Sequence, residues 1–432
     1  MRFIARKEEK LSIFLDTMTG KIFKLNPLSF ELLELLSHTP EALTDRISSH
    51  KHRDIFLYCL EKMIDIGILN QDMSLNTELI IPKFSGSVLS APVRVYLNLT
   101  NRCNLSCKHC VNLSGPKETS ELSSDIIKSL VEEMSRIGVF ELIIGGGEPL
   151  LHPDILDIIR LVNSKRISTG ITTNGLVVNE NMAKKLSKLN FNYLSVSLDG
   201  ATRSTHEHIR GKGSFSGAIM ALKNLKKYTS HRISIHFVIM KHNLSELPAL
   251  FRLAEELKCD IGLDFIRAAG KISDYPELLI DRNDYFSCLD LLFNRLMPDA
   301  SVKVILPERY YPWTVDIRLY GNFGCGAANT CCGVDSEGYV FPCNFIPAVE
   351  SLDNLKDKSL QEIWLENKEF NRLRSLQANK ICSDCIFLAS CRGGCRANVP
   401  SSLCHNAPDP YCIKDTESYS PDMKKFFNMT VI

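Results

Sequence analysis

"RVYLNLTNRCNLSCKHC", residues 94–110, decides how the rest of the chain is read. Its first seven residues alternate as a strand, and three cysteines then fall within eight positions, Cys103, Cys107 and Cys110. The thiols therefore sit in a loop at the C-terminal end of a strand, where parallel sheets and barrels build their sites. Three thiols are too many for one disulfide. They are also one short of a closed structural zinc site, and His109, wedged between two of them, is poorly placed to complete it. An iron-sulfur cluster binds through thiolates, and three of them on a four-iron cube leave one iron for a further ligand.

Outward from this stretch, strands and helices alternate. Helix-spaced apolar residues at about 123–137 are followed by the strand "FELIIGG", the helix "PDILDIIRLVNS", the strand "RISTGITTNG", the helix "NENMAKKLSKL" and the strand "NYLSVSLDG". The series continues through "SFSGAIMALKNLKKY", "RISIHFVIM", "LSELPALFRLAEEL" and "CDIGLDFIRA". This order predicts a mainly parallel α/β sheet wrapped by helices, open or rolled into a barrel. No fixed-period repeat accompanies it.

Upstream, residues 1–75 read as a separate small unit. "KLSIFLDTMTGKIFKLN" predicts two strands around a glycine turn, "PLSFELLELLSH" and "HRDIFLYCLEKMIDIG" predict helices, and "ILNQD" a returning strand. Residues 76–92, with "IPKFSGSVLSAP", read as a linker.

Composition removes several alternatives. The 432 residues are 44% hydrophobic and 23% charged, with 51 Lys and Arg against 50 Asp and Glu, so no single-sign field points to nucleic acid or an anionic membrane. No signal-type segment or spanning run is evident, and a cytoplasmic protein is expected. Sixteen cysteines are segregated: three in the loop, ten at or beyond Cys325, and Cys59, Cys259 and Cys288 alone. The lone three are expected to be buried small apolar residues.

Further motifs lie at the same sheet edge. "ELIIGGGEPLLHP" offers glycines that admit a close neighbour and a carboxylate, Glu148. Asn174 and Ser197 are polar residues at the ends of apolar strands. Taken together, the C-x3-C-x2-C loop, G-G-E-P, Asn174, Ser197 and "HEHIRGKGSF" resemble the radical S-adenosylmethionine enzymes. The resemblance implies a partial (β/α)6 TIM-like barrel over residues 93–310. It also implies a four-iron cluster on Cys103, Cys107 and Cys110 as the catalytic centre, with S-adenosylmethionine on the open iron. In that family, reductive cleavage of the cofactor yields a 5'-deoxyadenosyl radical that abstracts a substrate hydrogen. His109, Gly146, Gly147, Glu148, Asn174, Ser197 and Arg210 are the implied cofactor-binding residues, with Glu148 facing the amino group and Arg210 the carboxylate.

The C-terminal cysteines read C-x12-G-x4-C, then C-x2-C-x5-C-x3-C, then Cys412. The spacing by itself suits paired zinc sites as well as iron-sulfur clusters. It resembles the SPASM extension of peptide-maturing radical enzymes, here residues 321–415 before a tail at 416–432. The resemblance implies two auxiliary four-iron clusters, on Cys325, Cys331, Cys343 and Cys395 and on Cys382, Cys385, Cys391 and Cys412, making three clusters in all. Cys332 and Cys404 are possible substitutes for Cys331 and Cys412. Residues 1–75 resemble the winged-helix-like, leader-binding peptide chaperone of pyrroloquinoline quinone biosynthesis.

The implied function is a maturase of ribosomal peptides. A leader adds as a strand to the hairpin edge, a crosslink (thioether, C–C or C–O) is installed in the core peptide, and a flavodoxin or ferredoxin-type protein supplies electrons. Alternatives are a maturase acting on a sulfatase-type protein or a tetrapyrrole, and, outside enzymes, a zinc-binding interaction module. Asp264, Arg267, Tyr311 and His405 are candidate cavity residues without an assigned role.

Overall fold

The computed structural model describes residues 1–9, 11–25, 27–38, 53–82, 88–116, 121–305, 325–346, 351–375, 382–383, 391, 393–398 and 409–412. The expected calls on Cys385, Cys404, Tyr311 and His405 lie outside them.

Two sheets organise the described residues. The first has order β3-β2-β1-β4, from β1 Phe3–Lys7, β2 Ser12–Asp16, β3 Ile22–Leu25 and β4 Thr77–Ile80. The expected glycine hairpin is β2–β3, turning through Gly20 at φ +67°, a left-handed conformation that glycine adopts without a steric penalty. Two features differ from the reading. Phe3–Lys7 is a strand that a charged N-terminus hid, and the returning strand is Thr77–Ile80, parallel to β1, inside the stretch expected as linker. "ILNQD" contributes only a bridge between Leu69 and Leu75. Helices Pro27–His38 and Arg53–Asp65 fall where their apolar periodicity put them, and Phe3, Phe14, Phe30, Leu33 and Met63 form a core of their own.

The second sheet has ten strands in the order β11-β10-β9-β8-β7-β6-β5-β12-β13-β14. Seven of them, β5 Arg94–Thr100, β6 Glu141–Gly146, β7 Ser168–Thr173, β8 Tyr193–Ser197, β9 Ile233–Ile239, β10 Asp260–Phe265 and β11 Val304–Ile305, are parallel, as in a partial barrel. Helices cover the outer face. The one at Ser124–Ile137 starts on the Ser123 side chain, which accepts from the Ile126 N–H, and stops at Gly138, φ +77°. It buries Ile127, Leu130, Val131 and Met134 against the sheet. Short helices at Arg203–Arg210 and Arg282–Leu291 were not predicted, because neither carries a clear apolar stripe.

The C-terminal region is not a separate body beside the barrel. β12 Cys331–Val334 pairs parallel with β5, and β13 Tyr339–Phe341 and β14 Asp353–Asn354 extend it antiparallel. Trp364, fully buried, donates its indole N–H to the Leu89 carbonyl at 2.7 Å and closes this junction.

The small sheet is bolted to the N-terminal ends of the barrel strands. Arg6 is fully buried, donates to the carbonyls of Ala91, Pro92 and Gly138 at 2.7–3.1 Å, and pairs with Glu8 at 2.7 Å. Glu8 in turn accepts from Ser90. A buried guanidinium so satisfied fixes one unit on the other, and losing it would strand three carbonyls. No described helix is long and apolar enough to cross a membrane.

Candidate active site

The three-cysteine loop lies at the C-terminal ends of β5 to β8, held from three sides. Cys103 N–H donates to Gly115, Lys108 N–H to Ile209, and Lys271 N–H to the Cys110 carbonyl. Gly270, φ +69°, closes over it: a Cβ there would stand 2.3 Å from the Cys110 oxygen, so only glycine lets the 270 turn clamp the loop.

Each thiol has a polar neighbour. Asn174 Nδ2 lies 3.8 Å from Cys103 Sγ, Arg210 Nη1 lies 4.0 Å from Cys107 Sγ, and the Ser114 N–H points at Cys110 Sγ at 3.3 Å. Burial pushes the Cys107 thiol up to about 11 against the pull of Arg210, and burial likewise raises Cys103. Among the described residues no three His, Cys, Asp or Glu side chains converge as a single metal ion requires. Thiolates on one tetrahedral ion lie about 4 Å apart, while a four-iron cluster takes thiolates over a wider gap. Three thiols lining one cavity, with a donor beside each sulfur, fit such a cluster.

The glycines of "GGGEP" line the cavity, and Gly146 and Gly147 also have a close neighbour within the chain. A Cβ on Gly146 would lie 2.4 Å from the Thr100 oxygen and one on Gly147 2.2 Å from the Arg102 oxygen. What they admit is the backbone of the cysteine loop, sealed by Gly147 N–H to Thr100 and Glu148 N–H to Arg102 at 2.6 and 2.8 Å. Gly145, which the sequence did not single out, has nothing within 4 Å of its Cβ position and lines the cavity.

Glu148 is fully buried and accepts from Thr173 Oγ1, Asn174 N–H and Leu150 N–H at 2.7, 2.7 and 3.2 Å. Its carboxylate ties the end of β6 to the end of β7 and so aims Asn174, and burial raises its pKa. Ser197 is buried on the cavity wall.

Arg210 is buried and gives its Nε–H to Asp199 Oδ2 at 2.5 Å, with Nη2 3.4 Å from His109 Nε2. Asp199, fully buried, also faces His109 Nε2 at 3.3 Å and accepts the Val238 N–H at 3.0 Å. Burial disfavours its charge, but Arg210 and His109 outweigh that and hold the carboxyl well below the usual range. Burial drops His109 to about 4, and its Nδ1 has no hydrogen-bond partner among the described residues. Asp199 was missed in the sequence because "DG" reads as a turn. Its position after an apolar strand, like Asn174 after β7, was the available signal.

The C-terminal cysteines divide as the strand geometry dictates. Cys325, Cys331, Cys343 and Cys395 line the same cavity as the loop, with Cys391. Burial, with Cys395 and Cys343 beside it, pushes Cys325 up to about 11. Cys332 is fully buried, next to Cys331 on a strand and therefore on its other face. Cys391, pushed to about 12 by burial, feels Cys412, and Cys382 is buried. Cys259 and Cys288 are buried core residues as expected, while Cys59 is half-buried. Asp264 lines the cavity, and buried Arg267 donates to it at 3.3 Å.

The cavity, about 1240 Å³, runs from the cysteine loop down the barrel to Ile22 and Lys24 of β3. A parallel partial barrel with a three-cysteine loop at its C-terminal edge and further cysteines opening on the same cavity defines an iron-sulfur radical enzyme. The family model of the Radical SAM superfamily matches residues 97–254, and that of the SPASM iron-sulfur cluster-binding domain matches residues 325–386. The chain belongs to the radical SAM superfamily, whose members use an iron-sulfur cluster and S-adenosylmethionine.

It is 30% identical over 333 residues to the mycofactocin maturase MftC of Mycobacterium tuberculosis, covering 76% of this chain and 84% of that one. It is 36% identical over 359 residues to the Fe-coproporphyrin III synthase of Methanosarcina barkeri, covering 76% and 88%. Streptococcus suis SuiB bound to S-adenosylmethionine superposes with a TM-score of 0.71 at 19% identity over 95% of this chain and 97% of SuiB. SuiB is also known bound to its precursor peptide SuiA.

Proposed function

We propose that this chain is a peptide maturase that installs a crosslink in a leader-guided precursor. The observation that carries the reading is the single cavity shared by the three-cysteine loop, the cysteines around β12 and strand β3. Relatives named as a mycofactocin maturase and, in fold, a precursor-binding enzyme support it.

In this reading Cys103, Cys107 and Cys110 hold the catalytic cluster. Cys325, Cys331, Cys343 and Cys395 hold one auxiliary cluster, and Cys382, Cys385, Cys391 and Cys412 the other. When bound, the catalytic cluster and S-adenosylmethionine supply one-electron reductive cleavage and a 5'-deoxyadenosyl radical. The protein's part is to position. Asn174 and Arg210 stand beside Cys103 and Cys107, His109 and Ser197 line the site, and Glu148 holds the β6 and β7 ends that present the cofactor. Gly146 and Gly147 set the loop's height. A flavodoxin or ferredoxin-type protein is the electron donor.

Residues 1–80 are the leader-recognition unit. In the β2–β3 hairpin the Asp16 N–H bonds to the Lys21 carbonyl, so by alternation the N–H groups of Ile22 and Lys24 point away from β2. A strand added at that edge would pair with groups so directed. Because Arg6 is built into the barrel base, deleting the unit would damage the barrel. Lys24→Pro instead removes one outward N–H on an edge strand that tolerates proline.

Coexpression with candidate short precursor peptides, read by mass spectrometry as loss of two hydrogens, tests the proposal. Lys24→Pro is expected to abolish that loss with the iron content intact. An unmodified precursor with the wild-type enzyme rejects it. A second reading is favoured by the 36% identity to the coproporphyrin enzyme: turnover of iron-coproporphyrin III without any peptide would establish it instead.

A further inference from the structure

When a peptide loses two hydrogens as one bond closes, a hydrogen atom, a proton and an electron must each find a taker. The proton calls for a base near the cysteine loop, and the site described above names none. Among the described residues two carboxylates line the cavity, Glu141 and Asp264. Glu141 is the first residue of β6, at the end of the strands away from the cysteines, and is tied to Arg94 at 2.5 Å.

Asp264 lies at the other end, one position before the C-terminus of β10. Its partner on β9 is Val238, whose N–H donates to Asp199 at 3.0 Å, and Asp199 holds Arg210 beside Cys107. Asp264 is therefore level with the groups that surround the three-cysteine loop. Gly262, two residues back on the same face of β10, has no atom nearer than 3.6 Å to its Cβ position, which leaves room beside the carboxylate.

The carboxylate is held without being sealed off. Arg267 donates from Nη2 to Asp264 Oδ1 at 3.3 Å, and the Asp264 side chain keeps 15% of its surface where Arg267 keeps 2%. The guanidinium also donates from Nη1 to Asn398 Oδ1 at 3.4 Å and lies 5.6 Å from the centre of the Phe345 ring. Phe345 follows Cys343 by two positions, and Asn398 follows Cys395 by three. The ion pair thus stands between the cysteine loop and the thiols around β12. A guanidinium neighbour favours the ionised carboxylate, the form that accepts a proton.

We propose that Asp264 is the catalytic base of crosslink closure. This rests on the peptide reading above and adds the residue that completes its chemistry. A peptide carbon first gives up one hydrogen atom to the cofactor-derived radical. The group that joins this carbon carries the second hydrogen, as S–H, O–H or C–H. As the new bond forms that bond to hydrogen breaks, its proton passes to the Asp264 carboxylate, and the one surplus electron passes to an iron-sulfur centre acting as one-electron acceptor.

The test uses the full-length enzyme in D2O with the peptide that loses two hydrogens in the coexpression experiment above, and reads 5'-deoxyadenosine and crosslinked peptide separately. Asp264→Asn is expected to keep forming 5'-deoxyadenosine while the crosslink falls about a hundredfold, the low end of what a general base contributes. The uncrosslinked peptide should carry one deuterium where the assay's reductant quenched its radical. Iron content, and binding of the fluorescein-labelled peptide by anisotropy, should match the wild type. Asp264→Glu is expected to recover crosslink that Asp264→Gln does not, and this pair decides the matter if the Asn variant fails to fold. Wild-type crosslinking by Asp264→Asn, a proportional fall of both products, or equal yields from the Glu and Gln variants overturns the proposal and leaves the peptide reading standing. If the wild-type enzyme modifies no candidate peptide, the peptide reading falls and this proposal with it.

Discussion

The loop carrying Cys103, Cys107 and Cys110 and the region around β12 both gather thiols on one cavity, yet they are built oppositely. The loop supplies three cysteines and surrounds them with other chemistry: the Asn174 amide, the Arg210 guanidinium and the Ser114 N–H each face a sulfur. Around β12 the thiols face one another, and burial with Cys395 and Cys343 pushes Cys325 up. A site that leaves a coordination position for a reactant needs orienting groups from elsewhere in the fold. A site whose ligands are all cysteine needs only a scaffold that brings them together.

The largest effect expected from breaking this contrast is on chemistry. Replacing Cys103, Cys107 and Cys110 together by Ala should abolish 5'-deoxyadenosine formation, followed by chromatography. On the proposed assignment of three four-iron clusters, it should also lower iron from about twelve to about eight atoms per chain. Retained cleavage of S-adenosylmethionine would refute the assignment.

Next, Gly147→Ala forces a Cβ against the Arg102 carbonyl. Because the clash is with backbone, the cysteine loop must move. The variant should lose the loop's cluster signal in electron paramagnetic resonance while keeping about eight irons.

A finer test compares the two faces of β12. Cys331→Ala should lose about four irons. Cys332→Ala should keep all of them and cost only about 1–2 kcal/mol in denaturant unfolding. The reverse pattern would exchange their roles.

The smallest effect is in pH. Burial, with Arg210, lowers buried His206 to about 4, and its Nδ1 accepts the Asp199 N–H. Between about pH 4 and 6.5 the unfolded chain binds the extra proton, so stability should rise with pH across that window and level above it. The contribution is roughly 2 kcal/mol between pH 5 and 7, read as a shift in urea midpoint that His206→Gln removes.

The alternating strands and helices, the cysteine loop and the segregation of thiols were legible because each is a local pattern: period two, period 3.6, or a fixed spacing. The reading placed nearly every barrel element from 94 to 265. It missed β1, where Arg6 and Lys7 interrupt the apolar run, although Arg6 is fully buried in contact with carbonyls more than eighty positions away. It placed a linker where Thr77–Ile80 completes a sheet, because a four-residue edge strand has too little periodicity to register.

The sequence by itself determined the family and the segregation of its thiols into the 103–110 loop and the region beyond Cys325. Tertiary structure alone decided that Gly146 and Gly147 make room for backbone, and that Asp199 holds Arg210 beside Cys107. It alone separated Cys331 from Cys332, joined β12 to β5, and opened the cavity from the cysteines to β3. These are contacts between residues distant in the chain, and no periodicity or spacing encodes them, because they exist only once burial has brought the strand ends together.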